Sequence, residues 1–424
     1  MTITLSPDQQ YALDTIHARL RAGQQFITLA GAAGCGKTTL ITTLMEQMGN
    51  RAITLLAPTA KAALRISEVT KRPAATLHSK LYQGVEEEKK TALDEEADAI
   101  LAAAASVGRS RQSDRGERLR FFNPKSIVGP GELAIIDEAS MIGRRVHEDI
   151  EKTLEHGAQV IYVGDHAQLA PVNDSWGANL QHPDACLDKV HRQALDNPIV
   201  AYATAVREGR GSAWIRDCYD PLDYRLQIIR GSRNDAVEYM HSLESSGWTD
   251  TSMITWMNED RTAMNTRMRS LKGFTEPLQP GDKIRICENT TYGLVNGEVR
   301  TLAVVAREPR PVMGETVFAC KFEGSSEWVF LVPGMFEKDA LWKEMVEANK
   351  KRPKKEKDKR RYLKATYGQT LTAHSAQGSQ YDAVCAYLNP TFVSGWQKDT
   401  AGRGRLLYTI ATRAAKVLCV VAAA

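Results

Sequence analysis

Short apolar runs, separated by segments with helical spacing, dominate the first part of the chain. They lie near residues 26–30, 53–57, 133–137 and 160–164. The run Leu-Ala-Ile-Ile at 133–136 is apolar on both faces, which is typical of a strand in the middle of a parallel sheet. Residues 1–190 are therefore predicted to form an α/β domain around a parallel sheet.

The second part of the chain repeats this pattern with one interruption. A strand is predicted at 252–256 and a helix at 258–271, and the α/β pattern resumes near 367. Between them, residues 276–366 alternate apolar and polar positions around an Asn-Gly turn, which is typical of antiparallel strands. Residues 191–424 are therefore predicted to form a second α/β domain that carries a small β-barrel.

Two polar segments allow more than one interpretation. Residues 79–130 interrupt the first domain, and a polar turn at 108–116 precedes Phe121 and Phe122, as in a hairpin tip with its return strand. The alternative is a flexible loop whose two phenylalanines fill the local core.

Residues 350–361 form a dense basic run. We predict a helical extension packed beside the barrel over Leu341 to Lys364, interrupted at Pro353, and a phosphate-contacting arm stays open.

The first candidate chemistry follows the first predicted strand. Residues 31–39 read Gly-Ala-Ala-Gly-Cys-Gly-Lys-Thr-Thr and precede a predicted helix at 40–48. Glycines let the backbone turn and bring N–H groups close to phosphate oxygens. The lysine then reaches the β- and γ-phosphates, and the first threonine hydroxyl holds Mg²⁺. The predicted nucleotide-binding residues are Gly34, Cys35, Gly36, Lys37, Thr38 and Thr39, with Cys35 as a small filler.

Acidic and amide side chains follow the later strands. Asp137 and Glu138 stand at the carboxyl end of the third run, where parallel sheets bind ligands. Asp137 is predicted to anchor Mg²⁺, and Glu138 to act as general base toward water. Gln168 is predicted to hydrogen-bond the γ-phosphate or the water. Because an arginine on a transferring phosphate contributes about 10³–10⁵ in rate, Arg192 and Arg413 are candidates for catalysis from across a cleft.

Composition narrows the class of protein without deciding it. A chain of 424 residues exceeds one ordinary core, and a net charge of +4 requires any nucleic-acid groove to depend on local charge. No apolar run approaches about 18 residues, and the first residues do not resemble a signal peptide. The seven cysteines are scattered without a Cys-x-x-Cys pair, which predicts a reduced cytosolic protein without structural zinc.

Further short motifs complete an ordered series. They are residues 5–9 (Leu-Ser-Pro-Asp-Gln), 57–61 (Ala-Pro-Thr-Ala-Lys), 76–78 (Thr-Leu-His), 191–193 (His-Arg-Gln), 371–378 (Leu-Thr-Ala-His-Ser-Ala-Gln-Gly) and 407–413 (Leu-Tyr-Thr-Ile-Ala-Thr-Arg). With the phosphate loop, the series resembles the motifs of superfamily 1 helicases of the 5′→3′ branch (superfamily 1B), such as RecD-type and Dda-type enzymes. Residues 411–416 read Ala-Thr-Arg-Ala-Ala-Lys where that family often has Thr-Arg-Ala-Lys.

The resemblance implies two RecA-like domains in tandem, with ATP in the cleft, an SH3-like barrel in the second domain and a duplex-parting pin at 79–130. It implies that Gln9 reads adenine and that Gly378 contributes to the nucleotide site. The implied nucleic-acid contacts are Pro58, Thr59, Thr76, His78, Phe121, Phe122, Thr372 and His374.

ATP hydrolysis is then expected to drive 5′→3′ movement along single-stranded DNA and the opening of forked or tailed duplexes, in the cytoplasm of a bacterial or phage-infected cell. Other replication, recombination or defence proteins are possible partners. Three alternatives stay open: a translocase or remodelling ATPase that separates no strands, an RNA-directed helicase, and a nucleotide kinase. The kinase has no use for Thr372, His374 or Gln377.

Overall fold

The computed structural model describes residues 5–82, 124–171, 174–187, 196–209, 223–288, 290, 294, 296–352, 358 and 360–423. The predicted hairpin tip with Phe121 and Phe122 lies outside these residues. So do Arg192 and positions 353–357 of the basic run.

In the described residues, the first sheet has six parallel strands in the spatial order β3-β2-β4-β5-β1-β6. They are β1 Phe26–Gly31, β2 Ile53–Ala57, β3 Ala74–Thr76, β4 Leu133–Ile136, β5 Gln159–Gly164 and β6 Ala185–Leu187. Every residue of β4 and β5 is buried, because both faces of the sheet carry apolar clusters. The predicted parallel sheet is confirmed.

In the described part of the first domain, one helix precedes the first strand and others connect the strands. They are α1 Pro7–Arg21, α2 Lys37–Gln47, α3 Ala60–Thr70, α4 Leu77–Leu81 and α5 Arg144–Thr153. After α4 the described residues end at 82 and resume at 124. The N–H of Lys125 donates to the carbonyl of Leu81 at 2.8 Å, so the two described ends on either side of 83–123 lie next to each other.

The second sheet has five parallel strands in the order β14-β8-β15-β16-β7. They are β7 Leu226–Arg230, β8 Thr251–Thr255, β14 Thr370–Thr372, β15 Tyr381–Leu388 and β16 Ala414–Ala422. The accompanying helices are α6 Pro198–Arg207, α7 Arg233–Ser245, α8 Asn258–Leu271, α10 Ala373–Ala376, α11 Pro390–Ser394 and α12 Thr400–Ala411. Helix α8 has the predicted bounds.

An antiparallel sheet lies between α8 and β14 in the chain. Its strands are β9 Lys283–Ile286, β10 Val299–Val312, β11 Glu315–Phe322, β12 Val329–Leu331 and β13 Ala365–Tyr367, in the order β12-β11-β10-β9-β13. The N–H of Phe330 donates to Arg361 O at 2.9 Å, and the N–H of Leu363 donates back to Phe330 O at 3.0 Å. The segment entering β13 therefore pairs with β12 and closes the sheet, as the predicted barrel requires.

Helix α9, Asp339–Lys351, packs on the barrel through Trp342 and Met345. It is the predicted helical extension, and the whole arrangement confirms the predicted fold class of two RecA-like sheets with a β insert in the second. Within the described part of the chain, no helix has both the length and the apolar character needed to cross a membrane.

Candidate nucleotide cleft and nucleic-acid face

The loop between β1 and α2 has the backbone of an anion site. Gly34 and Gly36 have φ angles of +79° and +85°, a left-handed conformation that glycine adopts without steric cost. Gly36 is also the N-cap of α2, and no side chain caps that helix end. The first N–H groups of α2 are therefore free to bind phosphate oxygens.

Lys37 begins α2 and turns back along the loop. Its Nζ donates to the carbonyls of Gly31 at 2.7 Å and Ala32 at 2.9 Å. Burial by itself would lower the pKa of Lys37. The neighbouring Cys35, Asp165, Glu138 and Asp137 outweigh burial, so the pKa is raised and the ammonium keeps its charge.

Asp137 and Glu138 follow β4 at the floor of the same cleft. The N–H of Glu138 donates to Oδ1 of Asp137 at 2.9 Å, and Glu138 has a φ of +52°, which is uncommon for a residue with a side chain. Burial, together with the adjacent Glu138, raises the pKa of Asp137 to about 6. A carboxylate that is costly to keep charged is well suited to a divalent cation. Asp137 therefore fits Mg²⁺, and Thr38, the second expected ligand, lines the same cleft.

The cleft contains a cavity of about 450 Å³ with walls from both sheets. Its lining includes the predicted residues Gly34, Gly36, Lys37, Thr38, Thr39, Asp137, Glu138, Gln168 and Arg413. Arg65 of α3 and Gln380, just before β15, also line it and were not predicted. Arg65 is missed because it falls between recognised motifs, although its positive charge opposes part of the rise that burial and Glu138 cause in the pKa of Asp137.

Arg413 reaches the first sheet from the turn before β16. Its guanidinium donates to the amide oxygen of Gln168 at 3.3 Å and lies 3.9 Å from a carboxylate oxygen of Glu138. The carbonyls of Thr409 and Ser379 accept its other N–H groups at 3.1 Å each. Since Arg413 is only 3% exposed, these contacts fix a positive charge beside the general-base candidate.

The backbone N–H and the carbonyl of Leu169, next to Gln168, both form hydrogen bonds with the second domain. Its N–H donates to the hydroxyl of Thr409 at 3.0 Å, and its carbonyl accepts from Nε2 of Gln377 at 3.0 Å. Gln377 belongs to the 371–378 motif and Thr409 to the 407–413 motif. Neither residue was predicted to have this role, because the contacts join segments 208 and 240 residues apart.

Three residues expected at the nucleotide, Gln9, Cys35 and Gly378, are not among the residues that line the cavity, and their contacts with nucleotide stay predictions. Gln9 is buried in α1, where it accepts from the N–H of Ser6 at 3.0 Å and donates to the phosphate-loop carbonyl of Cys35 at 3.3 Å. The Cys35 side chain is fully buried in the core of the first domain, in agreement with its predicted role as a small filler. Gly378 faces Thr59 instead, since a Cβ built on it would lie 2.6 Å from the Thr59 hydroxyl.

The predicted nucleic-acid residues gather at carboxyl ends of strands. Thr59 follows β2, and Thr76 and Thr372 end β3 and β14. Each threonine hydroxyl accepts from a backbone N–H of the next helix, at 3.2 to 3.3 Å. The hydroxyls are therefore already engaged, and the imidazoles of His78 and His374 are the exposed groups beside them.

The close approach of Gly378 to Thr59 brings the 371–378 and 57–61 motifs together. The faces at the two strand ends therefore meet without a gap at this point. Pro58, between β2 and Thr59, is half-buried on the same edge.

A phosphate loop on one parallel sheet and an arginine from a second sheet are the features of a P-loop protein with two RecA-like domains in tandem. The chain belongs to the AAA-domain family, whose model matches residues 4–220. Its resemblance to the RecD, Pif1 and Dda group of superfamily 1B is confirmed by its relatives.

The chain is 27% identical to the ATP-dependent RecD2 DNA helicase of Deinococcus radiodurans over 424 residues, an alignment that covers 97% of this chain and 48% of that protein. It is 26% identical over 217 residues to the ATP-dependent DNA helicase dda of Enterobacteria phage T4, covering 49% of this chain and 43% of that protein. The chain therefore spans about half the length, or less, of these curated relatives.

Solved structures agree on the fold. Bacteroides Pif1 helicase in complex with ADP-AlF3 and single-stranded DNA aligns with a TM-score of 0.50 and 16% identity, covering 99% of this chain and 92% of that one. A Pif1 helicase structure concerning unwinding at forked duplex DNA aligns with a TM-score of 0.51 and 15% identity over the same shares. At these identities the likeness concerns the fold alone.

Proposed function

We propose that this protein is an ATP-dependent DNA helicase that moves 5′→3′ along single-stranded DNA. The observation that carries the proposal is Arg413 of the second sheet, which lies beside Glu138 and Gln168 of the first. A simple phosphate-loop enzyme needs no such arginine, whereas a motor that closes a cleft on ATP does. The names of the RecD2 and Dda relatives support the same activity.

Within the cleft, each residue has a distinct task. The loop N–H groups and Lys37 bind the phosphates, and Thr38 and Asp137 would hold Mg²⁺, which supplies charge neutralisation when bound. Glu138 accepts a proton from the attacking water, and Gln168 orients that water. Arg413, and Arg192 by resemblance, stabilise the charge that develops on the transferring phosphate.

Outside the cleft, single-stranded DNA would cross the strand ends of both sheets. Backbone N–H groups at the capped helix starts and the exposed imidazoles of His78 and His374 would contact its phosphates. Such contacts carry no sequence information, so binding should be sequence-tolerant and weaken with salt. ATP hydrolysis removes the bridge between the domains and thereby changes their spacing along the strand.

Several finer points stay predictions. They include the domain boundaries at 190/191, 79–130 and 276–366, a pin containing Phe121 and Phe122, further protein partners and a cytoplasmic location. The separation of duplex strands and the preference for DNA over RNA belong with them.

ATPase activity measured with and without oligo(dT) tests the proposal. We expect strong stimulation by oligo(dT), a smaller effect of oligo(U), and no activity in Lys37→Ala. Transfer of phosphate to a nucleoside, without stimulation by oligo(dT), would instead identify a kinase. Stimulated hydrolysis without opening of any tailed duplex would identify a translocase or remodelling ATPase.

A further inference from the structure

Tyr408 belongs to the second domain, and its hydroxyl forms hydrogen bonds with two separate segments of the first domain. Tyr408 lies in α12 and is 1% exposed. Its hydroxyl donates to Oδ2 of Asp165 at 2.5 Å and accepts from the backbone N–H of Ala33 at 2.9 Å. Asp165 directly follows β5, and Ala33 belongs to the phosphate loop. One side chain therefore connects the loop and the segment of Gln168 across the domain boundary.

Both hydrogen bonds depend on the contact between the two domains, because Tyr408 belongs to the second domain and Ala33 and Asp165 belong to the first. Asp165 is 1% exposed, and its Oδ1 accepts from the N–H of Ala167 at 3.0 Å, while among the described residues Tyr408 is the hydrogen-bond donor to Oδ2. Burial, together with the Asp165 charge, raises the pKa of Tyr408 well above its ordinary value, so the hydroxyl remains a donor. If the domains part, Ala33 loses its acceptor and Asp165 loses its donor.

The two partners also bear on phosphate binding. Ala33 lines the cleft cavity, whereas Tyr408 and Asp165 are not among its lining residues. The negative charge of Asp165 is one of those that keep Lys37 protonated. Tyr408 is thus placed to act through the loop and through Asp165, without touching the nucleotide.

We propose that Tyr408 is a positioning residue that sets the phosphate loop and Asp165 in the geometry for hydrolysis only when the cleft is closed. This role presupposes the proposed ATPase activity. Through Tyr408, turnover, rather than ATP binding, would depend on closure of the two domains. No covalent step involves Tyr408 itself.

The test uses Tyr408→Phe, which keeps the ring and removes the hydroxyl. The matched control is Tyr162→Phe, because Tyr162 is also fully buried and its hydroxyl contacts Nδ1 of His147 at 2.8 Å, away from the cleft. We expect the kcat of the oligo(dT)-stimulated ATPase to fall at least about fivefold in Tyr408→Phe, with the KM for ATP within about twofold of wild type. The control should keep both constants.

Amide hydrogen exchange provides a readout that does not require activity. Without nucleotide, a peptide containing Ala33 should exchange faster in Tyr408→Phe than in wild type and in Tyr162→Phe. Asp165→Asn is the second variant if Tyr408→Phe does not fold, and it should also lower kcat. In the double variant the losses should be less than multiplicative, because they break the same contact.

Unchanged kcat together with unchanged exchange would overturn the proposal. So would a raised KM with normal kcat, since the hydroxyl would then serve ATP binding. A wild-type protein without ATPase activity would contradict the proposed function instead, while the exchange measurement would still test the contact with Ala33.

Discussion

The guanidinium of Arg413 lies 3.3 Å from the amide oxygen of Gln168, and the two residues are 245 positions apart in the chain. The contact joins the turn before the last strand of the second sheet to the loop after β5 of the first. Because the same guanidinium approaches Glu138, the positive charge, the amide and the general-base candidate share one corner of the cleft. Their arrangement should matter for turnover more than for ATP affinity.

Replacement of Arg413 by alanine tests this arrangement. We expect kcat at saturating ATP to fall by about 10³-fold or more, with little change in nucleotide affinity, because the guanidinium stabilises charge that develops during transfer. Arg267→Ala is the control, since Arg267 pairs with Glu238 on the surface of the same domain. Lost ATP binding with an unchanged rate at saturation would contradict the role.

Glu138 and Lys37 should fail in different ways. Glu138→Gln keeps the size of the side chain and removes the base, so ATP should still bind while hydrolysis falls by about 10²–10⁴-fold. Lys37→Ala removes a buried positive charge from the phosphates and should weaken binding as well. Equilibrium binding of a fluorescent ATP analogue, combined with single-turnover hydrolysis, separates the two effects. Near-normal hydrolysis in Glu138→Gln would mean that the base is elsewhere.

Gln377 and His374 offer a matched pair within one short segment. Gln377→Ala leaves the carbonyl of Leu169 without its donor, at a cost of about 1–3 kcal/mol. We expect it to lose most stimulation by oligo(dT) while DNA affinity is retained. His374→Ala should instead weaken DNA binding. Fluorescence anisotropy with labelled oligo(dT), beside the ATPase assay, measures both, and the reverse pattern would refute the assignment.

Glu244 gives a prediction about stability and pH. It accepts from Lys272 at 2.8 Å, from Lys283 at 3.2 Å and from the Thr251 hydroxyl at 2.6 Å, and so joins the barrel to the second sheet. Burial alone would raise its pKa. Lys283, Lys272 and Thr251 outweigh burial and hold the pKa of Glu244 at about 2.

The folded state therefore favours the Glu244 carboxylate, whose pKa in an unfolded chain is about 4.3. Its contribution of about 3 kcal/mol should be complete above that pH and disappear as the pH falls toward 2. Glu244→Gln should lower the free energy of unfolding at pH 7, and its deficit should shrink near pH 3. Urea unfolding at both pH values, with exposed Glu238→Gln as control, measures this. An equal deficit at both would contradict the lowered pKa.

Much of the fold can be predicted because burial on both faces produces continuous apolar runs. The runs near 133–137 and 160–164 became β4 and β5, and the helix at 258–271 was located correctly. The glycines of the phosphate loop could be predicted for a different reason, which is also local: the turn requires a left-handed backbone at Gly34 and Gly36.

Contacts across the cleft could not be predicted in this way. Tyr408, Thr409 and Gln377 act through hydrogen bonds to residues more than two hundred positions away, and no periodicity marks them. The hydrogen bonds of Gln9, in contrast, could have been predicted, because a local sequence pattern indicates them. Ser6 and Gln9 form a capping box at the start of α1, a pattern readable from sequence, and this cap occupies the amide oxygen of Gln9.

The most direct test of the central claim is unwinding of short duplexes that carry either a 5′ or a 3′ single-stranded tail. With ATP and Mg²⁺, the wild-type protein should release the labelled strand from the 5′-tailed duplex and leave the 3′-tailed duplex largely intact. Glu138→Gln should release neither. Efficient opening of the 3′-tailed duplex alone would contradict the 5′→3′ assignment. If neither duplex is opened while oligo(dT) still stimulates hydrolysis, the proposal that the protein is a helicase is contradicted.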